Sequence, residues 1–345
     1  MLSVDGLSHA YDTDTVVRDV SFTVEKGELI GMLGPSGCGK TTVIQAIAGH
    51  ITPSAGEITL RGSVVTDAPP ESRRIGVMFQ RPTLYPHMTI SANIEYGLRA
   101  HDIPAQDRAS IVESMLELVE LEEYGAMAPG SLSLGQQRRA ELARVLAPEP
   151  DLLLLDEPLT SLDRELRERL LVEIARIQRE TGVTTVFVTH DQEEAMAVAD
   201  RLIVMNDGTI AGSDTPRSLY TNPPTPFVAS FLGRSVEVPG LVEGASPPIV
   251  RVGNLSFTPE RSAESLTAGM DVTCYIRPEQ LRWIADPDKT APSGTVREVI
   301  DRGRYGIVRV NGEHGRTFDI ESRSPYPSIG DTVGIEIIDQ DVAVF

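Results

Sequence analysis

Lysine is nearly absent from this 345-residue chain: Lys26, Lys40 and Lys289 are the only three, and 31 basic residues face 50 acidic ones. The formal net charge of −19 disfavours contact with nucleic-acid phosphates or anionic headgroups, so no nucleic-acid partner is expected. No run of Lys or Arg is long enough to suggest a local basic patch. A GC-rich genome or a salt-adapted proteome would each explain the scarcity of lysine, and it makes Lys40 conspicuous. Cysteine occurs only as Cys38 and Cys274, far apart in the chain, which argues against a disulfide scaffold and fits a reducing cytoplasm. Aromatic residues reach only 5% against 41% hydrophobic overall, so the cores must be aliphatic. No apolar stretch approaches 18 residues and no N-terminal signal pattern occurs; work at a membrane would need other chains to hold this one there.

From Leu2 to about Leu232, short apolar runs alternate with helical patterns, the pattern of an α/β domain with a largely parallel sheet. Strands are expected at Val16–Val24, Leu29–Leu33, Arg74–Phe79, Asp151–Asp156 and Thr184–Thr189. Helices are expected after the Gly-rich stretch, at Thr89–Ala100, Gln106–Leu121 and Gly135–Ala147, and along the face Leu162, Leu166, Leu170, Ile174, Ile177. Gly49 and Gly182 are stop signals, and Asp191 with Glu194 reads as a capping box. After Gly233 the texture becomes short Val/Ile-rich segments between Gly, Pro and Asp: Pro247–Leu255, Asp271–Ile276, Gly294–Ile300, Gly306–Val310 and Asp331–Ile338. That reads as a small all-β barrel. The expected domains are therefore 1–233 and 234–345, with a helical subdomain at about 81–147.

Gly34-Pro35-Ser36-Gly37-Cys38-Gly39-Lys40-Thr41-Thr42 follows an expected strand and opens an expected helix, the context a phosphate-binding loop requires. Its glycines let backbone N–H groups converge on phosphate oxygens, and the helix N-terminus adds positive potential there. Lys40 should reach the β- and γ-phosphates, and the Thr41 hydroxyl should ligate Mg²⁺. Cys38 fills a small-residue slot. Leu152–Leu155 runs into Asp156 and Glu157, two carboxylates at the carboxyl end of a buried strand, where ligands bind in such sheets. Downstream of a phosphate loop, Asp156 is expected to hold Mg²⁺ through water and Glu157 to polarise the attacking water.

Leu132-Ser133-Leu134-Gly135-Gln136-Gln137-Arg138-Arg139 resembles the signature segment of ABC transporter nucleotide-binding subunits, although Leu134 stands where the family usually has Gly. The resemblance covers about two thirds of the chain. It implies a phosphate-loop ABC cassette in which Ser133, Gly135 and Gln136 contact the nucleotide held by the opposite subunit. It further assigns Gln80 to sensing Mg²⁺ and the attacking water, Ser161-Leu162-Asp163 to a loop crossing the dimer interface, and His190 to the γ-phosphate. Tyr11 matches the aromatic that stacks on adenine, with a core position as the other reading. The implied machine is a dimer with ATP and Mg²⁺ between two copies of the chain. The stretch from Arg81 to Gly130, including Tyr85-Pro86-His87-Met88, would dock integral membrane permease subunits at the cytoplasmic face, with a solute-binding protein as an indirect partner.

Ile276-Arg277-Pro278-Glu279 and the β-rich end resemble the OB-like (TOBE) accessory domain of importer ATPases, which serve ferric iron, polyamines, sulfate, phosphonates or sugars. Texture around Met78–Arg81 and Pro226–Gly233 leans toward the ferric-iron and polyamine groups. Arg277 and Glu279 read as a structural ion pair. A soluble, non-transport ABC ATPase and a non-catalytic nucleotide-binding regulator are the other readings.

Overall fold

Leu152, Leu153, Leu154 and Leu155 are each no more than 2% exposed, a burial that adjoining strand residues reach only in a sheet covered on both faces. The computed structural model describes the chain apart from residues 161, 246–247, 254, 260–265, 286–292, 313–315 and 340. It falls into two units, Met1–Pro216 and Arg217–Phe345.

The first unit contains β1 (Leu2–Tyr11), β2 (Asp14–Val24), β3 (Leu29–Leu33), α1 (Lys40–Ala48), β4 (Ala55–Leu60), β5 (Ser63–Val64) and β6 (Ile75–Met78). It continues with α2 (Ile90–Ala100), α3 (Ala105–Leu118), α4 (Leu134–Leu146), β7 (Leu152–Asp156), α5 (Arg164–Thr181), β8 (Thr184–Val188), α6 (Gln192–Val198), β9 (Arg201–Asn206) and β10 (Thr209–Asp214). A six-stranded sheet runs β10-β9-β3-β8-β7-β6, parallel except for the β9–β10 edge hairpin. Because β3, β7 and β8 lie side by side and parallel, the loops after all three emerge at one edge. A second, antiparallel sheet, β2-β1-β4-β5, packs its apolar face with α1 and one face of the parallel sheet around Ile30, Val43, Ile47, Leu154 and Val186. Helices α2 to α5 build the other core, which is leucine- and isoleucine-rich as the shortage of aromatics requires.

Helix α1 ends at Gly49 and is held there by Arg73, which is 3% exposed. The Arg73 guanidinium donates to the carbonyls of Ala46 (2.8 Å) and Ile47 (2.7 Å), placing a cation where the helix dipole is negative. The expected capping box at α6 is only half present. Asp191 accepts from the N–H groups of Glu193 and Glu194, but the Glu194 carboxylate instead accepts a 2.6 Å bond from the Thr189 hydroxyl. A complete capping box forms at α4, between Ser133 and Gln136.

The second unit opens with α7 (Pro216–Thr221) and α8 (Pro226–Phe231) and is otherwise all-β. Its strands are β11 (Val236–Ala245), β12 (Pro248–Val252), β13 (Leu255–Phe257), β14 (Asp271–Ile276), β15 (Leu281–Ile284), β16 (Ser293–Asp301), β17 (Gly306–Asn311), β18 (Thr317–Ser322), β19 (Thr332–Ile337) and β20 (Ala343–Val344). They form two five-stranded antiparallel sheets, β13-β12-β11-β14-β20 and β15-β19-β16-β17-β18, around one core of Val, Ile and Phe. Pro247, the first residue of an expected strand, lies outside the described residues. Cys38 and Cys274 are both free; Cys274 is fully buried in this core, and burial pushes its thiol up to about 12, which makes it a poor nucleophile.

Sequence texture set the domain boundary at residue 233, whereas contacts divide the chain at Pro216 and Arg217. Arg277 accounts for the difference. Its buried guanidinium lies 3.6 Å over the Tyr220 ring and donates to the carbonyls of Leu232 (2.5 Å) and Tyr220 (2.8 Å), tying the two short helices to β14. The expected Arg277–Glu279 ion pair is thus bridged by Tyr220, whose hydroxyl donates to Glu279 (2.5 Å) and, by burial and that bond, is pushed up to about 12. Arg277→Ala removes a charged donor to those carbonyls and should lower the stability of this unit by about 3 kcal/mol. The chain's single tryptophan, Trp283 on β15, lies in the same unit. Its fluorescence in a urea titration should show an earlier transition; an unmoved midpoint would contradict the tethering role.

Candidate active site

The loop between β3 and α1 wraps around the side chain of its own lysine. Lys40 is 6% exposed, and its Nζ donates to the carbonyls of Gly34 (2.8 Å) and Pro35 (3.0 Å), with Cys38 Sγ at 3.7 Å. Gly39 precedes it at φ 103°, and a β-carbon there would sit 3.0 Å from the Val16 carbonyl, so both conformation and space require glycine. Cys38 is buried beneath the loop, as its small-residue role requires. Thr41 is exposed at the start of α1, and Thr42 is buried.

Across from this loop stands the end of β7. Glu157 holds a left-handed backbone at φ 46°, a conformation costing a residue with a β-carbon about 1–2 kcal/mol. Its N–H bonds to the Val188 carbonyl on β8 (2.9 Å), which fixes the turn. The Glu157 carboxylate is a hub: it accepts from Gln80 Nε2 (3.3 Å) and Thr160 Oγ1 (3.1 Å), and His190 Nδ1 lies 3.3 Å away. Next to it, burial and the Glu157 charge raise the Asp156 carboxyl above the usual range, partly opposed by Lys40. A group so placed favours a nearby cation.

Ser36, Gly37, Gly39, Lys40, Thr41, Thr42, Gln80, Glu157 and His190 thus come together around one cavity of about 550 Å³, completed by Val16 and Thr160. The oxygen donors of Thr41, Gln80 and Asp156 suit Mg²⁺, a hard ion that takes few protein ligands and keeps water and phosphate oxygens. Among the described residues there is no group of three or more His, Cys, Asp or Glu that could hold a metal ion.

Five other expected site residues, outside the loop and the β7 end, do not line this cavity. Ser133, Gly135 and Gln136 line a separate cavity of about 490 Å³ with Arg139, Arg169 and Arg176. A β-carbon at Gly135 would meet Leu166 Cδ1 at 2.7 Å, so any larger residue there would displace the Leu166 side chain. Tyr11 lines neither cavity; it is 46% exposed at the end of β1, edge-on to His9 at 4.7 Å. Asp163 also lines neither and caps α5 through a 3.0 Å bond from the Leu166 N–H. Ser161 lies outside the described residues. Sequence reasoning missed Thr160, because nothing in its neighbourhood shows that its hydroxyl turns back onto Glu157.

A lysine-filled Gly-rich loop at a helix N-terminus, facing two carboxylates at a strand end, defines a phosphate-loop nucleotide-binding protein. Residues 17–160 match the family model for ABC transporters, and residues 274–345 match that for the TOBE domain. The spermidine/putrescine import ATP-binding protein PotA of Thermobifida fusca is 41% identical over 88% of this chain and 81% of its own length. PotA of Clostridium acetobutylicum is 34% identical over 100% of this chain and 96% of its own. The Fe(3+) ions import ATP-binding protein FbpC 2 of Rhizobium meliloti is 45% identical over 77% of this chain and 66% of its own. The solved structure of CbiO1 from Clostridium perfringens, part of the ABC transporter complex CbiONQ, superposes with a TM-score of 0.59 at 26% identity, over 63% of this chain and 89% of that one. This chain belongs to the ATP-binding proteins of ABC transporters, which are ATPases, and carries a TOBE domain at its C-terminal end.

Proposed function

We propose that the chain is the ATP-hydrolysing subunit of an ABC importer and that it works as a pair of copies at the cytoplasmic face of the membrane. The observation that carries this reading is the division of the site. The phosphate loop and Glu157 face one cavity, whereas Ser133, Gly135 and Gln136 line another, so a single chain presents two half-sites. A two-fold pair would set each half against the other's complement and create two equivalent sites.

In such a site Lys40 exchanges the carbonyls of Gly34 and Pro35 for the β- and γ-phosphate oxygens, and the loop N–H groups hold the phosphates in place. Thr41, Gln80 and Asp156 would hold Mg²⁺, which supplies charge neutralisation at the β- and γ-phosphates. Glu157 accepts a proton from the attacking water; the new P–O bond forms as the bond from the γ-phosphorus to the bridging oxygen breaks, releasing ADP. His190 contacts the γ-phosphate and Gln80 orients the water. The partner copy's Ser133 hydroxyl and Gly135 amide close the site, Gln136 keeps Ser133 in place through its capping box, Asp163 lies at the interface, and Tyr11 stacks on adenine.

No described helix is long and apolar enough to cross a membrane, so other subunits would carry the membrane path. The helical subdomain supplies a docking face: Tyr96 and Met127 are large apolar side chains left 45% and 39% exposed, and Tyr96 packs on Tyr85 at 4.8 Å. The cargo proposed is a polyamine, in line with the PotA relatives, delivered by a separate solute-binding protein; ferric iron is the second reading, favoured by the 45% identity to FbpC 2. Uptake of labelled spermidine and of Fe³⁺ should be measured in cells lacking this chain and in the same cells with it restored. Restored spermidine uptake is the expected result. Restored Fe³⁺ uptake alone selects the second reading, and restoration of neither contradicts both.

A further inference from the structure

In the segment after β6, the carbonyls of Phe79 and Gln80 and both the N–H and the carbonyl of Thr83 bond to side chains of α4. Arg138, 3% exposed, donates through Nη1 to the Phe79 carbonyl (2.8 Å) and through Nη2 to the Gln80 carbonyl. Glu141, fully buried, pairs with Arg138 at 3.1 Å and accepts from both the N–H (2.9 Å) and the hydroxyl (2.8 Å) of Thr83. One turn on, Arg144 donates to the Thr83 carbonyl (2.8 Å) and hydroxyl (2.5 Å) and lies 5.4 Å over the Tyr85 ring. Residues 79–83 are thereby laced to one face of α4.

Ser133 caps the start of that helix, and its first turn carries Gly135. At the other end of the lacing, the Gln80 side chain rests on Glu157 at 3.3 Å. A burial this complete for an Arg–Glu pair is not explained by stability, since two charges taken out of water gain little that well-packed apolar residues would not give. It does fix geometry: each charged group spends its bonds on the backbone of the segment that aims Gln80.

We propose that Arg138 and Glu141 are positioning residues for ATP turnover, holding the Gln80 backbone to α4 so that Gln80 meets Glu157 only when α4 is in place. The proposal rests on the assignment of Gln80 to the reacting end of the site. A shift of α4 on engaging a partner copy is then transmitted to Gln80 through charged hydrogen bonds, and the same pair keeps Gln80 aimed between turnovers. Because Arg138 touches no reacting atom, its loss should slow the chemical step without weakening nucleotide binding.

The test is steady-state ATP hydrolysis by the full-length chain carrying Arg138→Lys, Gln80→Ala, or both, with unfolding followed by far-ultraviolet circular dichroism. Lysine keeps the charge beside Glu141 but cannot hold two carbonyls at once. Arg138→Lys should lower kcat about tenfold and leave KM for MgATP within about twofold, as small misplacements of an orienting group do. Gln80→Ala alone should also be slow, and the double variant should be no slower than Gln80→Ala, because both changes remove one action. If Arg138→Lys does not fold, Arg138→Met with Glu141→Leu removes both charges together and carries the same expectation. Multiplying losses in the double variant, or unchanged kcat in folded Arg138→Lys, would overturn the proposal. Normal kcat in Gln80→Ala would instead overturn the assignment on which it rests.

Discussion

Glu157→Gln should lower ATP hydrolysis by about 10²–10⁴-fold while leaving ATP affinity within a few-fold of the parent, the size expected on removing a general base from a proton transfer. Glutamine keeps the shape and the acceptor oxygen that Thr160 and Gln80 address but cannot take a proton from water. Because the left-handed backbone at Glu157 and its bond to Val188 are unaffected, the fold should be unchanged. Rapid-quench measurement of phosphate release, beside a fluorescent-nucleotide binding titration, separates the two quantities. Unchanged turnover with intact binding would remove Glu157 from the chemistry and leave its hub of contacts as structure alone.

Lys40→Ala should act on the other quantity. A buried ammonium that exchanges two carbonyl acceptors for phosphate oxygens contributes charge-assisted bonds of about 1.5–3 kcal/mol, so affinity for MgATP should fall by roughly 10–150-fold. The carbonyls of Gly34 and Pro35 also lose their donor, so the empty loop of this variant should be looser, and part of the loss will be reorganisation of the loop. Isothermal titration with MgATP and with ADP distinguishes the two contributions. If lost γ-phosphate contact dominates, ATP affinity falls more than ADP affinity; a loosened loop lowers both alike. Affinity equal to that of the parent for both nucleotides would contradict the phosphate-loop assignment.

The parallel sheet was legible because its central strands are buried on both faces, so β3 and the four leucines of β7 read as apolar runs and β8 as a β-branched and aromatic one. The antiparallel sheet beside it was largely hidden. In β1 the register shifts between Val4 and Leu7 and between Leu7 and His9 break the alternation that would mark a half-buried strand. At the edge of the six-stranded sheet, β10 was hidden too, because it carries Gly, Ser and Asp. In the second unit several strands stood out by β-branched content, whereas α7 and α8 gave no sign that Arg277 would claim them.

The site divides along the same line. The phosphate loop is written within nine consecutive residues, so its chemistry can be read locally. Thr160, although only three residues from Glu157, acts through a side-chain direction that local sequence does not show. Arg138 and Glu141 act across separations of 59 and 58 residues, and in sequence they look like solvent-facing charges on the polar side of a helix. Gln80 and Glu157, 77 residues apart, could be paired only through the family resemblance. Chemistry carried by a contiguous segment was readable, and chemistry assembled by packing was not.

Whether the nucleotide site is shared between two copies is decided most directly by a mixed dimer. Chains carrying Glu157→Gln with Lys40→Ala, and chains carrying Glu157→Gln with Ser133→Arg, should be coexpressed under different tags and the mixed pair isolated. Radiolabelled ATP retained after rapid desalting is then counted. In a shared arrangement the mixed pair still holds one intact site, formed by the sound phosphate loop of one chain and the sound Ser133–Gln136 segment of the other. The expected result is one ATP retained per mixed pair and none by either homodimer. No retained ATP in the mixed pair, with one per chain held by the Glu157→Gln parent, would show that each chain completes its own site and would contradict the two-copy clamp.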